Sequence, residues 1–345
     1  VPGFFVFRKE ERMRKVLFSG TRPSGSLTIG NYFGAISQWK QYENEYDCVF
    51  CIVDLHGLSV PRSPDDLRQK TLEILCLYVA CGLNPQRSTI FIQSQNPHHA
   101  ELTWILNGLT LYGELLRMTQ FKEKSRSSKG ISAGLLNYPI LMAADILLYQ
   151  TDLVPVGEDQ MQHIELCRSI ARRFGREYGE VFRTPEGRIP AQGGRIRSLG
   201  DPRRKMDKSD PNLRNIIRLL DSPEEVKSKI MKAKTDSRGD FNIADQDEGI
   251  ANLVTMMALL LGTTHKAVVN DYEGRGYGAL KKDLADAMIA FLEPVQRRFH
   301  AIRDDRALIT GVAAEGRQRA IERSSRTMVK VREACGLVDV RSEGG

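Results

Sequence analysis

Two lysines three residues apart, Lys205 and Lys208, stand in the run Lys205-Met206-Asp207-Lys208-Ser209, flanked by Gly- and Pro-containing segments. Ammonium groups on a flexible loop can reach a triphosphate and neutralise charge as it develops there. About 175 residues earlier, Gly20-Thr21-Arg22-Pro23-Ser24-Gly25 leads to Thr28-Ile29-Gly30-Asn31. Glycines after a strand let backbone N–H groups approach a phosphate, and the N-terminus of the next helix attracts anions. The run lacks the G-K-[ST] of a Walker loop and the spacing G-x-G-x-x-G. A third segment, Asn137 to Tyr149, carries one carboxylate, Asp145, inside an apolar helix. Burying it unpaired would be costly, so it needs a donor. Met142, three residues earlier, shares its face. A flat apolar surface beside one acceptor suits an indole, which has a single N–H. Each segment alone also has a plain structural reading: strand–turn–helix, solvated charge run, and an aspartate bonded to its neighbours.

The elements that must hold these residues alternate. Val16 to Ser19 reads as a strand, and a helical pattern begins near Thr28 with Ile29, Tyr32, Phe33 and Ile36. Strand Val49–Val53, helix Leu67–Cys81 closed by Gly82, and strand Thr89–Gln93 follow. This order predicts a parallel sheet with crossover helices, whose ligands sit beyond the carboxyl ends of the strands. Lys122–Gly134 reads as a mobile loop and Leu135–Tyr149 as a buried helix. A strand at Asp152–Val156 and an arginine-rich helix around His163–Phe174 come next, and the chain is mainly helical from Pro223. The fold class expected is α/β: a Rossmann-like parallel-sheet domain over 13–200, then a mainly helical domain over 201–345; the resemblance described below implies that the first is catalytic and that the second carries the lysine loop and binds tRNA. Residues 1–12 read as an N-terminal extension, with Met13 starting the domain.

The 345 residues are 41% apolar and 27% charged, which excludes a disordered chain. No apolar run approaches the roughly 20 residues a membrane span needs, and the N-terminal apolar stretch is too short for a signal sequence. A cytoplasmic location is expected. Cys48 and Cys51 lie within one apolar strand, where positions i and i+3 face opposite ways, so the six cysteines are expected to be reduced and structural. The net charge of +7 is concentrated: residues 168–205 hold eleven Arg or Lys against four Asp or Glu. Such a segment suits a polyanion partner, or an ordinary solvated basic face.

Thr28-Ile29-Gly30-Asn31 resembles the H-I-G-H element of class I aminoacyl-tRNA synthetases in its tryptophanyl form, and Lys205–Ser209 resembles their Lys-Met-Ser-Lys-Ser loop. The stretches Asp47–Asp54, Gly113–Lys122, Ser132–Leu135, Val154–Gln160, Thr235–Ser237 and Tyr272–Gly278 look like bacterial tryptophanyl-tRNA synthetases as well. The likeness runs from residue 14 to about 337. It implies activation of L-tryptophan by ATP, with Mg²⁺ bound through the phosphates and no protein-held metal. Transfer to tRNA(Trp) by a homodimer is implied too. By the same resemblance Asp145 accepts the indole N–H, while Phe18, Met142, Val154 and Val156 wall the ring. Tyr138, Gln160 and His56 hold the amino-acid backbone. Arg22, Pro23, Ser24, Gly30 and Asn31 meet ATP; Gly157, Glu158 and Asp159 meet its ribose; Ile196 lies near adenine. Lys124, Lys205 and Lys208 act on the phosphates, with Met206, Asp207 and Ser209 completing the loop. Two positions depart from the family pattern: Arg22 stands in place of Gln, and Asp207 in place of the middle Ser. A tyrosine-specific synthetase and a catalytically silent RNA-binding paralogue are the alternatives.

Overall fold

A computed structural model describes residues 14–59, 62–127, 130–189, 196–236 and 247–338, the side chains at 124, 126 and 127 excepted. The expected extension 1–12 lies outside the described residues. Five parallel strands form one sheet: β1 (Val16–Thr21), β2 (Asp47–Ile52), β3 (Thr89–Ile92), β4 (Leu153–Pro155) and β5 (Glu186–Arg188), in the order β3-β2-β1-β4-β5. From Cys48 to Ile52 every β2 residue is buried, as a strand covered on both faces requires. Cys48 packs into one apolar cluster and Cys51 into the other, on opposite faces of the sheet, and all six cysteines are free.

Helices of eight or more residues are α1 (Ser37–Glu45), α2 (Pro64–Ala80), α3 (His98–Asn107), α4 (Thr119–Ser127), α5 (Ala133–Leu147), α6 (Met161–Tyr178), α7 (Pro223–Met231), α8 (Glu248–Leu261), α9 (His265–Tyr272), α10 (Gly276–Asp304) and α11 (Arg306–Ala334). Local chemistry sets their ends. Ser63 caps α2, with Pro64 in the first turn, and the chain leaves that helix through Gly82 at φ +98°. Among the described residues no single helix is long and apolar enough to cross a membrane.

Two local readings change. The segment Lys122–Gly134 is not a loop throughout, because α4 continues to Ser127 and α5 begins at Ala133. Gln120, Lys122, Glu123, Lys124 and Arg126 are good helix formers, and they outweigh the serines. The helix after Thr28 is not uniform either. Ile29–Asn31 is one α-turn, Tyr32–Ile36 a π-turn, and α1 then resumes. The wider turn brings adjacent Tyr32 and Phe33 both onto Phe291 of α10, with ring centroids 5.0 and 5.4 Å away.

The last helix lies against the sheet edge. Gly316 of α11 meets the β3 backbone so closely that a Cβ there would fall inside the Ile90 carbonyl oxygen. Alanine is otherwise the better helix former, so its steric cost must exceed that gain. Gly316→Ala is expected to destabilise the chain by about 1–3 kcal/mol, the usual cost of overpacking. Urea denaturation measures it, and an unchanged midpoint would mean that α11 shifts freely.

Candidate functional site

The strand order reverses between β1 and β4, and in sheets of this type ligands bind in the crevice at that switch point. The segments singled out above leave the sheet around this crevice. β1 ends at Thr21 and feeds the Arg22–Ser26 turn; β4 ends at Pro155 and feeds Val156–Gln160. His56 follows β2 and Gln93 follows β3.

The turn after β1 is held from three sides. Ser24 N donates to Arg22 O at 2.8 Å, Arg62 donates to Pro23 O, and Lys208 Nζ donates to Arg22 O at 2.5 Å. Gly25 has φ +63°, and a Cβ on it would overlap the Lys208 carbonyl, so the lysine loop sits directly on this turn. Gly30 lies against Met206, whose N–H donates to Ile196 O at 3.0 Å. Thr28 and Asn31 form a reciprocal capping box that fixes the helix start. The two lysine-loop charges differ in setting. Lys205 is exposed; Lys208 is half-buried, and burial together with Arg22 and Arg62 pushes its ammonium down to about 7, with Asp207 opposing. Arg22 itself is lowered by burial and by Arg62, again opposed by Asp207. The Asp207 carboxylate accepts from Ser209 N at 2.9 Å, so this residue also closes the loop's turn. Lys124 lies on α4, but its side chain is outside the described residues.

Asp145 on α5 is 1% exposed and already has its donors from the protein. Gln93 Nε2 and His99 Nδ1 bond Oδ1, each at 2.6 Å, and His56 Nε2 bonds Oδ2 at 2.8 Å. The need for a donor is met by three side chains of the protein. Burial pushes this carboxyl up, but the His56 and His99 hydrogen bonds outweigh it and hold it at about 2. Phe18, Val154 and Val156 belong to one apolar cluster, with Met142 and Tyr138 packed against it. His56 also meets the Tyr138 ring edge-on, 6.3 Å between centroids. From Tyr138 a polar chain continues through Gln120 to Asp159, which also accepts from Gln160 at 2.7 Å. Glu158 and Asp159 are exposed beside Gly157.

Gln93, His99, Arg62, Gln120 and Tyr149 bond the candidate residues or their partners, and sequence reasoning does not single them out. Only Gln93 carries a signal, its place at the carboxyl end of a strand. The basic segment is also less free than its composition suggests. Arg173 is paired with Glu114, Arg183 with Asp152, and Arg168 donates to Pro185 O, whereas Arg172 and Arg176 are exposed. Residues 190–195 of that segment lie outside the described residues.

A crevice at the switch point of a parallel sheet, with cationic side chains gathered on the turn after the first strand, suits an anionic ligand such as a nucleotide, and the family "tRNA synthetases class I (W and Y)" matches residues 9–293. The chain belongs to this family of aminoacyl-tRNA synthetases. It is similar to the tryptophan–tRNA ligase of Clostridium acetobutylicum, 48% identical over 94% of this chain and 98% of that one. Among solved structures it is similar to tryptophanyl-tRNA synthetase from Mycoplasma pneumoniae, at TM-score 0.85 and 32% identity over 94% of this chain and 99% of that one. The Campylobacter jejuni enzyme, complexed with ADP and tryptophan, gives TM-score 0.83 and 31% identity over 94% of this chain and 100% of that one. Within the family this chain is of the bacterial tryptophanyl type, a tryptophan–tRNA ligase.

Proposed function

We propose that the crevice at the switch point performs both steps of tryptophan–tRNA ligation. The tryptophan carboxylate attacks the α-phosphorus of ATP; a carboxyl–phosphorus bond forms and pyrophosphate leaves. The terminal ribose 2′-OH of tRNA(Trp) then attacks the adenylate carbonyl and AMP leaves. The first nucleophile is already ionised, so positioning and charge stabilisation carry that step.

Asp145 Oδ2 receives the indole N–H, with Phe18, Met142, Val154 and Val156 around the ring. Tyr138, Gln160 and His56 surround the amino-acid backbone. Arg22 to Ser24, Gly30 and Asn31 meet the nucleotide, Gly157 to Asp159 its ribose, and Ile196 with Met206 its base. Lys124, Lys205 and Lys208 serve the phosphates, on a loop shaped by Asp207 and Ser209. The observation that carries this reading is the seating of the lysine loop on the turn after β1. Among the described residues no cluster of three or more His, Cys, Asp or Glu is placed to hold a metal, and the charges at the turn are mostly cationic, Arg22, Arg62 and Lys208 against Asp207. Mg²⁺ fits here as an ion carried on phosphate oxygens, where it would neutralise charge on the leaving pyrophosphate. Tryptophan-dependent ATP–pyrophosphate exchange tests the reading. Exchange driven better by tyrosine, or tRNA binding without any exchange, would sink it.

The working form is a cytoplasmic homodimer. Trp104, 80% exposed, and Tyr112, 66% exposed, lie on and just after α3, an apolar surface suited to a second copy. The tRNA meets the exposed arginines of α6, Arg172 and Arg176. Reversing Arg172 and Arg176 to Glu is expected to weaken aminoacylation and flatten its salt dependence, since fewer counterions are released. Pyrophosphate exchange should be unaffected. Equal loss of both activities would show that these arginines support the fold instead.

A further inference from the structure

A buried chain of polar groups runs from the last helix to the carboxylate in the apolar pocket. Ser324 of α11 donates to Ile321 O and accepts from Asn96 Nδ2 at 3.0 Å. The same Asn96 amide donates to Tyr149 Oη at 3.1 Å. Tyr149 Oη lies 2.9 Å from His99 Nε2, and His99 Nδ1 lies 2.6 Å from Asp145 Oδ1. Asn96, His99, Asp145 and Ser324 are buried, as is Tyr149.

The direction of these bonds follows from what each group can do. An amide nitrogen only donates, so Tyr149 Oη accepts from Asn96. Among the described residues the acceptor left for the Tyr149 hydroxyl proton is His99 Nε2. An ionised carboxylate only accepts, so His99 Nδ1 must carry the ring proton. Both ends of the chain thus demand one tautomer, protonated at Nδ1 and bare at Nε2. The opposite tautomer would set a bare nitrogen 2.6 Å from a carboxylate oxygen and leave the tyrosine proton without an acceptor. With Gln93 also on Oδ1, that oxygen has both its lone pairs taken. Among the described residues Oδ2 takes only His56, which leaves the carboxylate one open acceptor position.

We propose that Tyr149 and His99 are positioning residues for amino-acid choice: the Asn96–Tyr149 donor chain holds the His99 ring at Nε2 while the carboxylate fixes its Nδ1 proton, and His99 with Gln93 turns Asp145 so that only Oδ2 is presented to the substrate. This rests on the reading of Asp145 as the indole acceptor. Phe18, which stacks on Tyr149 at 5.8 Å, ties the same residue to the apolar wall. The polar chain and the wall thereby share one anchor.

The test combines a direct view of the proton with kinetics. Long-range ¹H–¹⁵N correlation on histidine-labelled protein resolves the tautomers of its six histidines, with His99 assigned by its loss in His99→Asn. The wild-type signal should be the Nδ1–H tautomer. Tyr149→Phe, which keeps the ring, should leave the Nδ1 proton facing Asp145 but shift the Nε2 resonance as that nitrogen loses its donor, and should raise the tryptophan KM about tenfold, the effect of one buried hydrogen bond. The ATP KM should move less than twofold. An asparagine amide can stand in for the Nδ1–H, so His99→Asn should stay within a few-fold of wild type. His99→Leu should raise the tryptophan KM by about 10- to 100-fold, the effect of losing a bond to a charged group. A His99 signal protonated at Nε2 in the wild type would overturn the proposal, as would a Tyr149→Phe protein with unchanged Nε2 resonance and KM. An unchanged tryptophan KM in Asp145→Asn would overturn the substrate reading beneath it, and the tautomer spectrum separates the two failures.

Discussion

Asp145→Asn is expected to lower kcat/KM for tryptophan in pyrophosphate exchange by about 10²-fold, the loss of a buried hydrogen bond to a charged acceptor, while leaving the far lower value for phenylalanine nearly unchanged. The surrounding donors make asparagine the informative substitution. Gln93, His99 and His56 all point at this carboxylate. Alanine would strand three buried donors and mix a folding penalty with a recognition effect. Asparagine keeps the volume and one acceptor oxygen. Two donors reach Oδ1 and one reaches Oδ2, so the oxygen is best used on the Gln93–His99 side. The amide nitrogen then faces His56, whose ring can present a bare nitrogen to it. The incoming indole N–H therefore meets an N–H₂ group where it met an oxygen. A tryptophan-to-phenylalanine ratio that does not narrow would make Asp145 a bracket for the two histidines and nothing more.

Much of this site is legible in the sequence because its parts announce themselves locally. Asp145 is conspicuous as a lone charge in an apolar helix, and Lys205 and Lys208 as a pair on a Gly/Pro-flanked loop. Their partners are not local. Gln93, His56 and His99 reach Asp145 from 52, 89 and 46 residues away, from the ends of two strands and the start of α3. No periodicity links such positions; only the closed sheet does. The same holds for the π-turn at Tyr32–Ile36, which is settled by Phe291 some 260 residues later. The fold class was easier, since continuous apolar runs alternating with helical patterns admit few sheets. The misread part of Lys122–Gly134 is its start, 122–127, the end of a polar helix with scattered serines that pattern alone does not tell from a loop.

Lys208→Ala should slow adenylate formation by about 10²–10³, the range for losing one preorganised donor to developing charge. The tryptophan KM should hardly move, because the contact belongs to the reacting phosphates. The structure adds a pH dependence. Lys208 is pushed down to about 7 by burial first and by Arg22 and Arg62 next. Phosphates bind the charged lysine, so without ATP the binding-competent form is full below pH 7 and is lost above it. The apparent ATP affinity is then expected to fall by up to about tenfold per pH unit above 7, until the lysine of the ATP complex itself deprotonates. Lys208→Arg, charged throughout, should abolish this fall. The two departures from the family pattern act on it with opposite sign. Asp207 raises Lys208 and Arg22 lowers it, so each offsets the other's charge at one ammonium. Asp207→Ser should move the fall to lower pH and Arg22→Gln to higher pH. The double variant should return near wild type, each shift being clearest at low salt. Because Asp207 also closes the turn through Ser209 N–H, serine is the substitution of choice: its hydroxyl can keep that bond without the charge. Wild-type activation kinetics in Lys208→Ala, or one and the same pH profile in wild type and Lys208→Arg, would remove Lys208 from the reaction and leave it as the tie between the lysine loop and the turn at Arg22.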